Sequence, residues 1–152
     1  CPDVCPSHYI HHSLAYRNKA HGFYANHHLA GNTWENNTSC GNRSNYNMLN
    51  RKNTFEAIDV PGYDHSLANN VSWTFTDASL GGHLINIDPD RVTLTNNSFA
   101  PSVSSVEVTA EMFVSTSVSL LFTRRLPDGR LPSIDFLRGK AGTILEERQM
   151  GW

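Results

Sequence analysis

The side chains able to do chemistry in this 152-residue chain are eight histidines, three lysines (Lys19, Lys52 and Lys140) and a few paired carboxylates. His8, His11 and His12, together with the pair His27-His28, invite a metal reading. Neighbouring residues on a strand point to opposite faces, so His11 and His12 cannot share one ion without a bend. No carboxylate lies near them in sequence, and they read as surface or corner histidines, which argues against a histidine metallohydrolase. Asp88-Pro89-Asp90, and Asp59 with Asp64, offer oxygen ligands of the kind calcium takes, although two carboxylates around a proline read first as a turn. Arg43, Arg51 and Lys52 form the basic cluster. A guanidinium fork there would grip a carboxylate through two hydrogen bonds. Five Asn-x-Ser/Thr sequons, at Asn36, Asn37, Asn42, Asn70 and Asn96, are what chance gives in so Asn-rich a chain.

The elements that must hold these groups follow from an unusual composition. Charged residues make up 17% of the chain, against about 25% in ordinary soluble domains. Neutral polar residues fill the gap, with 15 Asn, 15 Ser and 11 Thr. Asn is unfavourable inside helices and ordinary strands, so this many must serve a fold that uses Asn structurally. The net charge of −2 gives no basic field for nucleic acid. The longest apolar run, 118–122, is interrupted by Ser119 and is far short of the roughly 20 residues of a membrane span. Three cysteines without a CxxC pair argue against a disulfide framework or a zinc site; Cys1 and Cys5 are close enough to pair, but Pro2 and Pro6 stiffen that loop.

Self-comparison supplies the architecture. His11-His12-Ser13-Leu14, Asn36-Asn37-Thr38-Ser39, Asn69-Asn70-Val71-Ser72 and Asn96-Asn97-Ser98-Phe99 repeat a polar pair followed by small or apolar residues, at spacings of 25, 33 and 27. A period of about two dozen residues, made of short β-like runs and Asn/Gly corners, suits one coil of a parallel β-helix. Stacked coils lie about 4.8 Å apart, so a recurrent inward Asn can bridge layer to layer. Ile10, Leu14, Phe23, Trp34, Leu67, Val71, Ile85, Ile87 and Leu94 are the expected inner stack, and residues 50–66, with Pro61-Gly62, the expected extruded loop. The solenoid is assigned to residues 1–100 in about four turns. Residues 101–152 are assigned to an irregular capping tail, with a short helix N-capped by Thr109, a turn at Pro127-Asp128-Gly129, an extended run 131–137 and a turn at 140–143.

The runs His21-Gly22-Phe23-Tyr24-Ala25-Asn26-His27-His28, Trp34-Glu35-Asn36-Asn37-Thr38, Asn45-Tyr46-Asn47-Met48-Leu49, Asp59-Val60-Pro61-Gly62-Tyr63-Asp64-His65 and 126–137, followed by Ala141-Gly142-Thr143, occur in an order that resembles family 9 polysaccharide lyases. The resemblance runs nearly end to end and falls in the C-terminal part of that family. It implies a right-handed parallel β-helix that degrades acidic plant pectin (polygalacturonate) by β-elimination. In that chemistry calcium on an Asp cluster neutralises the uronate and a Lys after a Gly-Phe pair removes the C5 proton. Here the position after Gly22-Phe23 is Tyr24, so the catalytic Lys and the Asp cluster are expected upstream and no calcium is expected on this chain. Lys19 is the candidate substitute base, read otherwise as a solvated corner lysine. Tyr24, Asn26, His27 and His28 are expected to line the sugar groove, joined by Arg43, Arg51 and Lys52. The expectation is a secreted or periplasmic fragment that is inactive by itself. The alternative is a non-catalytic carbohydrate-binding or structural β-helix module. Exposure of the first coil predicts that residues 1–12 are poorly ordered or pair with another copy.

Overall fold

The computed structural model describes residues 5–74, 82–99 and 107–146. The first coil contains β1 (Tyr9–His11), β2 (Leu14–Tyr16) and β3 (His21–Tyr24), and the second β4 (Thr33–Glu35), β5 (Thr38–Cys40) and β6 (Ser44–Asn47). A hairpin, β7 (Asn50–Arg51) and β8 (Asp59–Val60), precedes β9 (Ser66–Ala68), β10 (Val71–Trp73), β11 (Leu84–Ile85) and β12 (Thr93–Thr95). Successive strands within a coil lie on different faces, so strands pair with their counterparts one coil away. The resulting parallel sheets are β1-β4-β9-β12, β2-β5-β10 and β3-β6-β11. This is a parallel β-helix. No helix among the described residues is long and apolar enough to cross a membrane.

Register explains the asparagines. Asn36, Asn69 and Asn96 adopt left-handed φ of 53°, 55° and 50° at one corner, a conformation Asn tolerates better than most side chains. The following residues point inward. Asn37 and Asn70 each receive the layer above, since the backbone N–H of Ser13 donates to Asn37 Oδ1 (3.0 Å) and that of Asn37 to Asn70 Oδ1 (3.0 Å). The backbone N–H of Asn70 donates to Asn97 Oδ1 at 2.9 Å. Their Nδ2 atoms reach back to Ile10, Trp34 and Leu67 carbonyls at 2.8–2.9 Å. Each corner amide is thus fully bonded, as buried polar groups must be.

Inside, Ile10, Trp34, Leu67 and Leu94 lie in register across the first sheet. Phe23 stacks on Tyr46 (centroids 5.2 Å apart) and Tyr46 on Phe99 (4.8 Å), with Met48, Leu84 and Ile87 around them. Close approach of the next coil excludes a side chain at Gly22, where a Cβ would lie 2.0 Å from Ser39 Oγ.

Several sequence expectations shift. The first repeat aligns one residue later than the pattern suggested: Leu14 pairs with Thr38, and His12 (φ 49°) takes the left-handed corner, so the spacings are 24, 33 and 27. Leu84, not Ile85, joins the inner stack, because Leu84 pairs with the inward Tyr46 and Ile85 with Asn47. Leu14 and Val71 face outward, since the inward positions of that sheet are the small residues Ala15, Ser39 and Ser72, which make room for the bonded amides of Asn42 and Asn45. The extruded loop is shorter than 50–66. The chain returns at Gly62, whose N–H donates to Asn86 O at 2.8 Å. Tyr9–His11 is a regular strand paired with β4 rather than the poorly ordered segment expected there, while residues 1–4 of that expectation lie outside the described residues. A Cys1–Cys5 bridge and the boundary at 100/101 lie outside the described residues.

The segment 107–146 lies against the outer face of β2-β5-β10. Phe113, Phe136, Leu137 and Leu145 bury Cys40 and Val71 together with Leu14, Tyr16 and Trp73. Tyr16 meets Phe136 edge-on at 5.2 Å. Short 3-10 turns span Ala110–Met112 and Val118–Phe122. Thr109 is not a side-chain cap: its hydroxyl makes no bond to the turn's backbone.

Candidate functional site

The outer face of β3 and β6, walled by the β7-β8 hairpin, gathers the polar aromatic residues. His21 pairs with Ser44 and Tyr24 with Asn47 across adjacent coils, and the His21 ring touches both the Tyr24 ring (4.9 Å) and the Asn47 amide, so the four side chains gather on one face. Asn47 Oδ1 accepts from Asn86 Nδ2 (2.9 Å) and from the Leu49 N–H (3.3 Å). Its Nδ2 therefore donates to His21 Nε2 at 3.0 Å, leaving the ring proton on Nδ1, which donates to Ser44 Oγ at 2.5 Å. That tautomer cannot take a proton from Ser44, so the serine is not an activated nucleophile. Burial, helped by the positive charge of Arg43, pushes the His21 pKa down, which favours this neutral ring.

Tyr24 Oη donates to His27 Nε2 at 2.9 Å, which places the His27 proton on Nδ1. His27 has a left-handed φ of 59°, as does Asn26 (53°), and this tight turn swings the imidazole toward the hairpin. His27 Nδ1 lies 2.7 Å from Asp59 Oδ1 and Arg51 Nη2 lies 4.0 Å from the same oxygen. The His27 contact is off the axis of the N–H, so it is a close polar approach rather than a directed hydrogen bond. Two donors are left over: His27 Nδ1 and Arg51 Nε are closed to solvent and bond to nothing among the described residues. Burial and the charge of Asp59 raise the Tyr24 pKa, against an opposing pull from Arg51, so the phenol stays protonated. The groups of the cluster open to a ligand are the half-exposed Arg51 guanidinium and the Tyr24 oxygen, which can meet an anion and a hydroxyl. The cluster holds no activated nucleophile.

The sequence candidates divide accordingly. His27 and Arg51 converge on Asp59, Tyr24 joins them through His27, and the charge of Arg43 reaches His21. Asn26 is exposed in the turn. His28 turns away to the Ala30 backbone (2.8 Å) and the His8 ring (5.0 Å). Lys52 pairs with Glu56 at 2.7 Å on the hairpin. Lys19 is exposed in the corner between β2 and β3, without a hydrogen bond or ion pair among the described residues. His21, Ser44, Asn47 and the pairing role of Asp59 were not singled out from sequence. The signal was present as the 23-residue offset of His21 to Ser44 and of Tyr24 to Asn47, one coil length.

The residues present do not fit a calcium ion, which needs six to eight oxygen ligands. Asp59 is engaged by His27 and Arg51, and Asp64 by Arg91 at 3.2 Å. Asp88 accepts the Asp90 N–H (3.1 Å) in the turn its proline suggested. Among the described residues no three His, Cys, Asp or Glu side chains gather into one group.

Against solved structures, the chain is 38% identical to a rhamnogalacturonan lyase over 92% of its length, with a TM-score of 0.82. The chain resembles part of a family 9 polysaccharide lyase. A second lyase structure, pectate lyase Pel9A, matches over 93% of the chain at 27% identity and a TM-score of 0.67. The lyase-like chain spans about a third of each, 32% and 30% respectively. No family model and no curated protein matches it.

Proposed function

We propose that this chain is part of a secreted, pectin-degrading polysaccharide lyase, in which it holds the acidic polysaccharide while the base and calcium reside elsewhere in a longer protein. The match at 38% identity to a rhamnogalacturonan lyase carries the reading. The site chemistry agrees with it. The half-exposed guanidinium of Arg51 suits a uronate carboxylate, and the Tyr24 oxygen and the exposed Arg43 suit ring hydroxyls and a second carboxylate. Asn26 is exposed in the adjoining turn, His28 and Lys52 are engaged elsewhere, and Lys19 takes no part.

Titration of polygalacturonate and rhamnogalacturonan oligosaccharides into the chain, followed by calorimetry, tests the reading. Binding that weakens at least tenfold in Arg51→Ala, with no unsaturated product formed in the presence of calcium, is the expected result. Equal affinity of Arg51→Ala and the parent chain refutes the assigned face, and robust turnover refutes the placement of the base. A free-standing binding module makes the same binding prediction. It is distinguished by the coding sequence ahead of Cys1, where Asp-bearing coils and a Gly-Phe-Lys turn support the lyase.

A further inference from the structure

The histidines read from sequence as unable to share an ion do meet. His12 sits at the left-handed corner (φ 49°) that Asn occupies in the next three coils. That bend, absent from an extended strand, folds its ring back on His11, with the ring planes at 90° and the two Nδ1 atoms 2.9 Å apart. Two imidazole nitrogens at that distance must share a proton, or share a cation in its place. The separation is also the cis edge of a square-planar site, since two metal–nitrogen bonds of about 2.0–2.1 Å at a right angle leave the nitrogens about 2.9 Å apart. Tetrahedral zinc needs them further apart.

We propose that His11 and His12 form a surface chelate, through both Nδ1 atoms, for a divalent ion that prefers square-planar nitrogen ligation, copper(II) or nickel(II). The remaining positions belong to water, because no third ligating side chain joins the pair among the described residues. The surroundings fit this use. Both rings are exposed, and Tyr9 stacks on His11 at 4.5 Å and fixes its orientation. Glu35, the strand partner of His11, is held by the Tyr9 hydroxyl and adds a negative charge beside the pair. His12 Nε2 faces the Asn36 side-chain amide at 3.5 Å. With the metal on Nδ1 the His12 proton moves to Nε2, and rotation of the Asn36 amide presents Oδ1 to accept it, the outer-sphere contact that metal-binding histidines use. This site is separate from the polysaccharide face and does not depend on the lyase reading.

Copper(II) titrated into the full chain in a Cys1→Ser, Cys5→Ser background, so that thiols do not compete, tests the assignment by calorimetry and electron paramagnetic resonance. One equivalent should bind with the hyperfine pattern of two equatorial nitrogens. His11→Ala and His12→Asn should each weaken binding at least tenfold and remove one nitrogen from the spectrum. His12→Asn recreates the corner residue of the other coils, so it folds whatever the metal does. His8→Ala, which removes a neighbouring histidine, should leave the affinity within twofold. Unchanged affinity in His12→Asn, or a spectrum without two nitrogens, overturns the proposal.

Discussion

Replacing Asn70 by Ala cuts the corner ladder at its middle. The side chain accepts from the backbone N–H and the Nδ2 of Asn37 (3.0 and 3.1 Å) and donates to Trp34 O and Asn97 Oδ1 (2.9 and 3.0 Å). Asn97 Oδ1 keeps the Asn70 backbone N–H, and Asn37 Nδ2 keeps Ile10 O, so those two groups stay bonded. The Asn37 backbone N–H loses its partner and Asn37 is fully buried, whereas the Trp34 carbonyl keeps its place in the β4-β9 ladder. An orphaned buried polar group costs about 1–3 kcal/mol, so roughly 2 kcal/mol is lost. At about 2–4 °C per kcal/mol for a domain of this size, Tm should fall by roughly 4–8 °C. Urea unfolding followed by circular dichroism measures the loss as a lower midpoint with unchanged slope. A loss below about 1 kcal/mol would refute the claim that inward amides, rather than apolar packing alone, join one coil to the next.

Other expectations are simpler to state. Asn36 needs a left-handed backbone and not its amide, so Asn36→Gly should change stability by a few tenths of a kcal/mol while Asn36→Val costs about 1–2 kcal/mol in the same urea assay. Gly22→Ala should destabilise by about 2–3 kcal/mol or more, since the added methyl meets Ser39 Oγ and, at 2.8 Å, the Asn45 carbonyl. His65 is buried, accepts the Asn32 N–H at Nδ1 (2.9 Å) and donates from Nε2 to Asn50 Oδ1 (2.6 Å), and burial pulls its pKa down to about 4. The unfolded chain then binds a proton below pH 6.5 that the folded chain refuses. Stability should therefore decline as pH falls from 6.5 toward 4, by up to about 3 kcal/mol, and level off below. His65→Gln should flatten that decline in pH-dependent urea melts. Burial pushes the Cys40 thiol up to about 12, so a thiol reagent at pH 8 should label it at the rate of global unfolding.

Much of the architecture was legible because the repeated Asn pairs mark a chemical need, an amide at each inward corner, that recurs once per coil. The register of the first coil was not, because Ser13 and His12 stand where later coils carry Asn37 and Asn36, and the corner is defined by backbone conformation rather than residue type. The outward turn of Leu14 and Val71 was hidden for a related reason. An apolar residue on a solenoid strand is read as inward unless something covers the outside, and the cover comes from residues 107–146, far along the chain. At the site, Tyr24, His27 and Arg51 were within reach of sequence because they lie near the strand ends that the motif marks. The place of Asp59 beside them was not, since only the antiparallel pairing of Arg51 with Asp59 brings it back to the groove.

The ladder also bears on how the protein can be made. Asn37, Asn42 and Asn70 are sequon asparagines, and the nitrogen to which an N-linked sugar is attached is the one that donates to the Ile10, Ala15 and Trp34 carbonyls. Oligosaccharide added at any of the three during synthesis would have to sit inside the coil, where there is no space for it. A host that glycosylates such sequons should yield misfolded material, and a bacterial host, or tunicamycin treatment, soluble protein.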